Sequence, residues 1–168
     1  SHGGGFSPAF KEFWYPQWSG STVYRYNKSG AYLGNFNVGN SDMMQLWGDT
    51  DGSFYTANWG QDRVRKWESM ENAGNQLWEY YLGSTAGGVC CDGTHVYAMR
   101  HSGNTVWKLD KDTGQLVEEF TLPNIQNNLH GGLVCLPGRL YYGGYDYVRV
   151  YNLETRTQMS EFSVQDYI

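Results

Sequence analysis

Short apolar segments, each about the length of a β-strand, alternate with turn residues along the whole chain. One of these segments recurs four times in nearly the same form, as STVYRYN, DRVRKWE, NTVWKLD and DYVRVYN. The valines at its centre are Val23, Val64, Val106 and Val148, which lie 41, 42 and 42 residues apart. No segment shows a sustained period of about 3.6 residues, so the pattern predicts strands and almost no helix.

Each repeat carries further strand-like segments around this phrase, the first being an inner apolar segment such as GGVCC or GGLVCL. An apolar pair then precedes the valine, at Phe13-Trp14, Phe54-Tyr55, Val96-Tyr97 and Leu140-Tyr141. In three repeats a turn signal comes before that pair, at Asp51-Gly52, Asp92-Gly93 and Pro137-Gly138. An outer segment follows the phrase and carries one aromatic residue, which is Phe36, Tyr80, Phe120 or Phe162. Because Asp-Gly and Pro-Gly favour tight turns, each repeat is predicted to form four antiparallel strands.

A fixed period of about forty residues that contains four short strands is typical of a β-propeller blade. We therefore predict an all-β chain in which residues 1–168 form a single β-propeller unit of four-stranded blades. The blades are predicted at approximately 1–38, 39–82, 83–123 and 124–164, with 165–168 leading into the next or the first blade.

The two ends of the sequence also fit this period. Joining Ile168 to Ser1 gives a junction similar to the internal connection that precedes Leu133, and the interval from Val148 to Val23 is then 43 residues. This pattern allows a closed four-bladed ring, one unit of a tandem array, or half of an eight-bladed ring built by two copies. We expect both termini in the same or adjoining blades, and head-to-tail assembly if four blades do not close.

Composition narrows the range of partners. Aromatic residues are abundant, with seven Trp, fourteen Tyr and seven Phe, whereas the net charge is only −5. An acidic balance without a basic stretch disfavours nucleic acid as a partner. No apolar run reaches the roughly twenty residues of a membrane-spanning helix, so no membrane insertion is expected. The chain starts at Ser1 without a leader, so we expect a processed form or a fragment whose localisation cannot be read.

Three segments resemble known propeller repeats. GNTVWKLDKDTGQLVEEFTL, residues 103–122, resembles the YVTN or quinoprotein-like repeats, and STVYRYNKSGAYLGNF, residues 21–36, resembles an NHL repeat. LHGGLVCLPGRLYYGGYDYVRVYNLETRT, residues 129–157, is similar to a WD40 repeat, with a His near its start and an Asp in the tight turn. The resemblance implies a propeller fold, and its quinoprotein-like branch implies an enzyme with a metal or cofactor in the axial channel.

The cysteines do not predict a disulfide framework. Their number is odd, and Cys90 and Cys135 fall at equivalent inner-strand points of successive repeats, with Cys91 beside the first. A free cysteine behaves as a small apolar residue. We therefore expect Cys90 and Cys135 to be buried and reduced, and no C-x-x-C metal site is present.

The loop before each central strand carries one large side chain: Trp18, Trp59, His101 or Tyr145. Equivalent loops of successive blades lie on one face of a propeller, so these side chains are predicted to form a ring of stacking platforms for a partner. The competing interpretation is that each side chain packs on its neighbouring blade. His130 and Asp146 are predicted to form a structural pair, and Asp49 to Gly52 a hairpin turn. No catalytic or metal-binding residues are predicted.

These features favour a non-catalytic binding or scaffold module that contacts protein partners or copies of itself. A carbohydrate-binding lectin that uses the loop aromatics is the first alternative. The second alternative is an enzyme of the NHL or quinoprotein kind. Its axial metal or cofactor would need carboxylates or histidines on the inner strands, where mainly apolar or small residues such as Met43, Gly88 and Leu133 occur. We accordingly expect no cofactor.

Overall fold

A computed structural model of the chain describes residues 3–123, 132–144 and 147–163, and it contains strands but no helix within these ranges. The first two blades comprise β1 (Gly5–Ser7), β2 (Glu12–Pro16), β3 (Thr22–Tyr26), β4 (Tyr32–Asn37), β5 (Met43–Gly48), β6 (Phe54–Asn58), β7 (Arg63–Trp67) and β8 (Gln76–Tyr81). The other two comprise β9 (Ala86–Cys91), β10 (His95–Arg100), β11 (Thr105–Asp110), β12 (Leu116–Thr121), β13 (Leu133–Leu136), β14 (Arg139–Gly143), β15 (Tyr147–Asn152) and β16 (Thr157–Ser163). None of the described segments is a helix that could cross a membrane.

The strands form four antiparallel sheets, and each sheet consists of four consecutive strands in sequence order. The sheets are arranged as the four blades of a β-propeller, as predicted from the repeat. We number the blades 1 to 4 along the chain. Residues 1–2 and 164–168 lie outside the described residues, so the predicted proximity of the termini remains a prediction. Among the described strands, no sheet combines the beginning of the chain with its end.

The repeated phrase occupies the third strand of every blade, and its register is the same each time. Val23, Val64, Val106 and Val148 pair across to Phe36, Tyr80, Phe120 and Phe162, respectively. Two residues after each valine, the pairing with the fourth strand shifts by one residue. A bulge of this kind increases the local twist of a strand. The recurring valine–aromatic pair and bulge confirm that the four phrases are structurally equivalent.

The blades are held together by packing between the faces of successive sheets. Side chains of the second strand alternate between the two faces, because successive residues of a strand point in opposite directions. Trp14 of blade 1 contacts Phe54 of blade 2 edge to face, with ring centroids 5.7 Å apart. Tyr97 of blade 3 shares a buried cluster with Leu133 and Leu140 of blade 4. Blades 2 and 3 thus each present one face to the preceding blade and the other to the next.

The prediction that Cys90 and Cys135 are reduced is wrong. They form a disulfide between β9 and β13, with their Cα atoms 5.6 Å apart. The strand register explains the error. Cys90 lies opposite Tyr97 and Cys135 lies opposite Leu140, which are residues on opposite faces of their blades. Cys90 therefore points forward to blade 4 and Cys135 points back to blade 3, so the two sulfurs meet. The remaining cysteine, Cys91, is free and buried.

The disulfide makes a direct prediction about thiol reactivity. In denatured protein that has not been reduced, one thiol per chain is expected to react with iodoacetamide, and three after reduction. Replacing both Cys90 and Cys135 by serine should lower the free energy of unfolding by about 2–4 kcal/mol, because the cross-link restricts the unfolded chain. Urea unfolding measures this loss, with Cys91→Ala as the single-site control. Three reactive thiols before reduction would contradict the cross-link.

Burial of the central valines makes a second prediction. Val106 is fully buried in the cluster between blades 3 and 4. Val106→Asp should destabilise the fold by roughly 4 kcal/mol, because it places an unpaired charge among apolar side chains. Val117→Asp is a matched control on the outer strand of the same blade, where the side chain is half-exposed, and should change stability little. Similar urea midpoints for the two variants would contradict this account of the blade core.

Candidate functional site

Three of the four predicted loop residues come together at one end of the propeller. Trp18, Trp59 and His101 lie in the connections between the second and third strands of blades 1, 2 and 3. The ring centroids of Trp18 and Trp59 are 6.4 Å apart, and those of Trp59 and His101 are 4.2 Å apart with the rings nearly perpendicular. We call these three residues the aromatic row. Tyr145, the fourth predicted residue, lies outside the described residues.

Accessibility decreases along the aromatic row. Trp18 is 47% exposed, Trp59 is partly buried and His101 is 7% exposed. The other tryptophans are all less exposed than Trp18, and Trp14 and Trp67 are almost completely buried. Packing on a neighbouring blade therefore accounts for His101, whereas it leaves much of the Trp18 ring accessible.

Backbone hydrogen bonds fix two of the three loops that carry the aromatic row. The amide of Trp59 donates to the carbonyl of Asp42 at 2.8 Å, and the amide of His101 donates to the carbonyl of Thr85 at 2.8 Å. Asp42 and Thr85 each precede the first strand of the same blade. Both loops are thereby tied to the rigid inner edge of their blades. An aromatic ring held in a fixed position is well suited to stack against a flat or apolar group, because little entropy is lost on binding.

The side chain of Gln45, which sequence analysis did not select, links the inner strands of three blades. Its Oε1 accepts hydrogen bonds from the amides of Val89, at 3.0 Å, and Leu133, at 2.9 Å. Its Nε2 donates to the carbonyl of Leu133 at 2.8 Å. Gly3 of blade 1 forms an isolated β-bridge with Gln45. One buried side-chain amide therefore joins the inner strands of blades 2, 3 and 4.

A small residue opposite Gln45 is required by this arrangement. A Cβ atom at Gly88 would lie 2.9 Å from the Leu133 Cβ and 3.1 Å from the Gln45 Oε1. The only signal for Gln45 in the sequence is a polar residue within the apolar segment MMQLW. Within the described ranges, His, Cys, Asp and Glu side chains form no group of three or more that is suited to hold a metal ion. The predicted pair of His130 and Asp146 lies outside these ranges.

A second polar cluster lies between blades 2 and 3, where sequence analysis predicted only hairpin turns. Asp49 is buried and accepts a hydrogen bond from the Tyr55 hydroxyl at 2.9 Å. The Lys111 ammonium lies 3.2 Å from the same carboxylate oxygen, and the Cys91 thiol lies 3.6 Å from it. Burial raises the pKa of Cys91 to about 12. The thiol is therefore protonated at neutral pH, which does not suit a nucleophile.

Buried groups of this kind predict loss of stability at alkaline pH. Burial raises the pKa of Tyr142, like that of Cys91, to about 12. Well below about pH 8, both groups are protonated in the folded and the unfolded chain, and the stabilising contribution is complete. As the pH rises from about 8 towards 12, the unfolded chain releases protons that the folded chain retains, first from the thiol and then from the phenol, so the free energy of unfolding falls. Urea midpoints should therefore be lower at pH 10.5 than at pH 8.

The variant Cys91→Ala measures how much of this pH dependence comes from the Cys91 thiol. It should show a smaller decrease in urea midpoint between pH 8 and 10.5 than the unsubstituted chain. The exposed-site variant Tyr32→Phe should retain the full decrease, since Tyr32 is 55% exposed. Identical decreases in all three proteins would show that the buried thiol does not contribute.

Comparison with known proteins identifies the fold and no family. No protein-family model and no curated protein matches this chain. Solved structures of propeller type do match it over nearly its whole length. Hydrazine synthase from Kuenenia stuttgartiensis matches 97% of this chain and 49% of its own, with 14% identity and a TM-score of 0.68. BamB from Moraxella catarrhalis matches 95% of this chain and 48% of its own, with 15% identity and a TM-score of 0.60.

A chain of the nidogen–laminin complex is a third match, with 15% identity and a TM-score of 0.69. The match covers 96% of this chain and 62% of that one. This chain thus spans about half the length of the first two matched proteins and less than two thirds of the third. Identities of 14–15% show a shared fold and carry no information about activity.

Proposed function

We propose that this chain is a non-catalytic β-propeller module that binds a protein partner through the end of the propeller that carries the aromatic row. The observation that supports this proposal is the position of Trp18, a half-exposed indole beside Trp59 on loops that come from different blades. Exposed aromatic side chains on a rigid scaffold are typical of recognition surfaces. The rings contributed by separate blades form one continuous surface, which a single partner can contact.

The contacts at the inner edge of the blades support a binding role over an enzymatic one. A metal or cofactor held between the inner strands of blades 2, 3 and 4 would have to displace Gln45, whose amide hydrogen bonds to backbone groups of blades 3 and 4. Loss of those bonds would leave buried polar groups unpaired, which costs about 1–3 kcal/mol for each group. The nidogen–laminin match supports the same role by analogy, because that propeller-containing structure is a complex between proteins.

Carbohydrate binding is the second candidate, and the same residue favours it. An accessible indole face beside a second indole is the type of surface on which a sugar ring stacks. A protein partner and a glycan would use the same side chain, so the two candidates are separated by the ligand and not by the residue. A glycan array probed with the purified chain, in parallel with protein cross-linking, distinguishes them.

The role of Trp18 is testable by site-specific cross-linking. A photoreactive phenylalanine analogue at Gln17, beside Trp18 in the same loop, should capture the protein partner in an extract of the source cells. Affinity for the identified and purified partner is then measured by calorimetry. Trp18→Ala should weaken binding about thirtyfold, the effect of losing an interface residue worth about 2 kcal/mol. Urea unfolding of the variant should be unchanged, since Trp18 is half-exposed.

Tyr32→Ala is the matched control, because Tyr32 is an aromatic residue of similar exposure on an outer strand. Its affinity for the partner should equal that of the unsubstituted chain. A partner that binds Trp18→Ala as tightly as the unsubstituted chain would place the binding surface elsewhere. A glycan that binds directly, with no captured protein, would favour the lectin alternative.

A further inference from the structure

In blades 2 to 4, one face of the sheet packs against the preceding blade. The equivalent face of blade 1 is exposed. Phe13 and Tyr15 of β2 are 50% and 46% exposed. By strand register, the equivalent residues of blades 2, 3 and 4 are Phe54 and Thr56, Val96 and Ala98, and Leu140 and Tyr142. All six are completely buried by the preceding blade. Blade 1 therefore presents a blade-packing surface that has no blade against it.

The opposite face of blade 4, which corresponds to the face that packs against the next blade in blades 1 to 3, is also exposed. Val134 is 38% exposed, whereas Cys90, which holds the same register position in blade 3, is completely buried. Val148 is partly exposed, whereas the three equivalent central valines are completely buried. Phe162, which pairs across from Val148, is 56% exposed. Each exposed residue of this face corresponds to one that contacts the next blade elsewhere in the chain.

The two open faces do not close on each other within the chain. Contacts between blades join 1 to 2, 2 to 3 and 3 to 4, and no comparable packing joins blade 4 to blade 1 among the described residues. An apolar cleft of about 760 Å³ lies there instead, lined by Phe6, Phe13 and Tyr15 of blade 1 and by Val134 of blade 4. A void of this size is far larger than packed protein interfaces contain.

We propose that two copies of this chain associate head to tail, with blade 4 of each packed against blade 1 of the other, and so complete one eight-bladed ring. The two open faces are opposite sides of the same kind of interface, which the chain already forms three times internally. A second copy supplies both missing faces at once. The resulting contacts are heterologous, and a two-fold arrangement closes them without leaving an open edge.

The lengths of the matched chains also favour a second copy of this chain as the partner at the open faces. Hydrazine synthase and BamB are each matched over about half of their own chains by nearly all of this one. The part of each of these two chains that lies beyond the match is therefore about as long as this chain. A second copy of the chain provides that number of residues and the same blade width. This association uses other residues than the aromatic row and does not depend on the partner proposed above.

Mass measurement tests the association. Sedimentation equilibrium of the 168-residue chain should give twice its mass of 19.1 kDa. Tyr15→Glu, on the open face of blade 1, and Val134→Glu, on the open face of blade 4, should each give the single-chain mass. Val117→Glu, at a half-exposed position on the outer strand of blade 3 and so outside both open faces, should remain a dimer. Circular dichroism and urea unfolding at high dilution verify that each variant is folded.

Mixing the two interface variants distinguishes head-to-tail contact from other dimers. In a mixed pair, the unsubstituted blade 4 of the Tyr15→Glu chain meets the unsubstituted blade 1 of the Val134→Glu chain. One intact interface is thereby restored, and the mixture should regain a population of dimers that neither variant forms alone. A folded single chain at every concentration would overturn the proposal. A dimer that survives both substitutions, or a mixture that does not recover, would also overturn it.

Discussion

The packing of one sheet face on the next is the interaction on which the whole structure depends. No blade of four short strands encloses a core of its own, because a blade is a single sheet with two apolar faces that must pack against other sheets. Trp14, Tyr55 and Tyr97 each complete the cluster of the following blade, so the core is distributed over the spaces between blades. Stability therefore accumulates with each interface formed, and among the described residues of one chain blades 1 and 4 have one interface fewer than blades 2 and 3.

Gln45 adds a polar constraint to this apolar arrangement. Apolar faces alone permit neighbouring sheets to slide or rotate by small amounts, since dispersion and hydrophobic contacts have little directionality. The amide of Gln45 has fixed donor and acceptor directions and satisfies backbone groups on two other blades. Because these groups are buried, any displacement that breaks the bonds is costly. The relative positions of the inner strands are thus specified more sharply than packing would require.

Much of the fold was predictable from sequence because the repeat is local. The spacing of Val23, Val64, Val106 and Val148 and the aromatic residue that follows each one predict four equivalent strands, and the register confirms them. Trp18, Trp59 and His101 were predicted to share one face for the same reason, and the structure brings them into contact.

The features that were missed depend on which face a residue occupies. Cys90 and Cys135 were taken as equivalent, but a difference of one position in register reverses the direction of a side chain, and the two cysteines therefore face each other. The role of Gln45 depends on contact between the inner strands of three blades, which no single segment encodes. The exposure of Phe13 differs from that of Phe54 only because of what precedes blade 1 in space.

The disulfide has a consequence for how the chain would come apart. Among the described residues of one chain, blade 4 packs against blade 3 alone, and a repeat with a single neighbour is where an array normally begins to fray. The link between Cys90 and Cys135 ties the inner strand of blade 4 to that of blade 3, across 45 residues of sequence. Opening of the last blade therefore cannot proceed to full separation while the cross-link is intact. The disulfide is therefore a covalent restraint at the place where unfolding would otherwise start, and it couples the unfolding of blade 4 to that of blade 3.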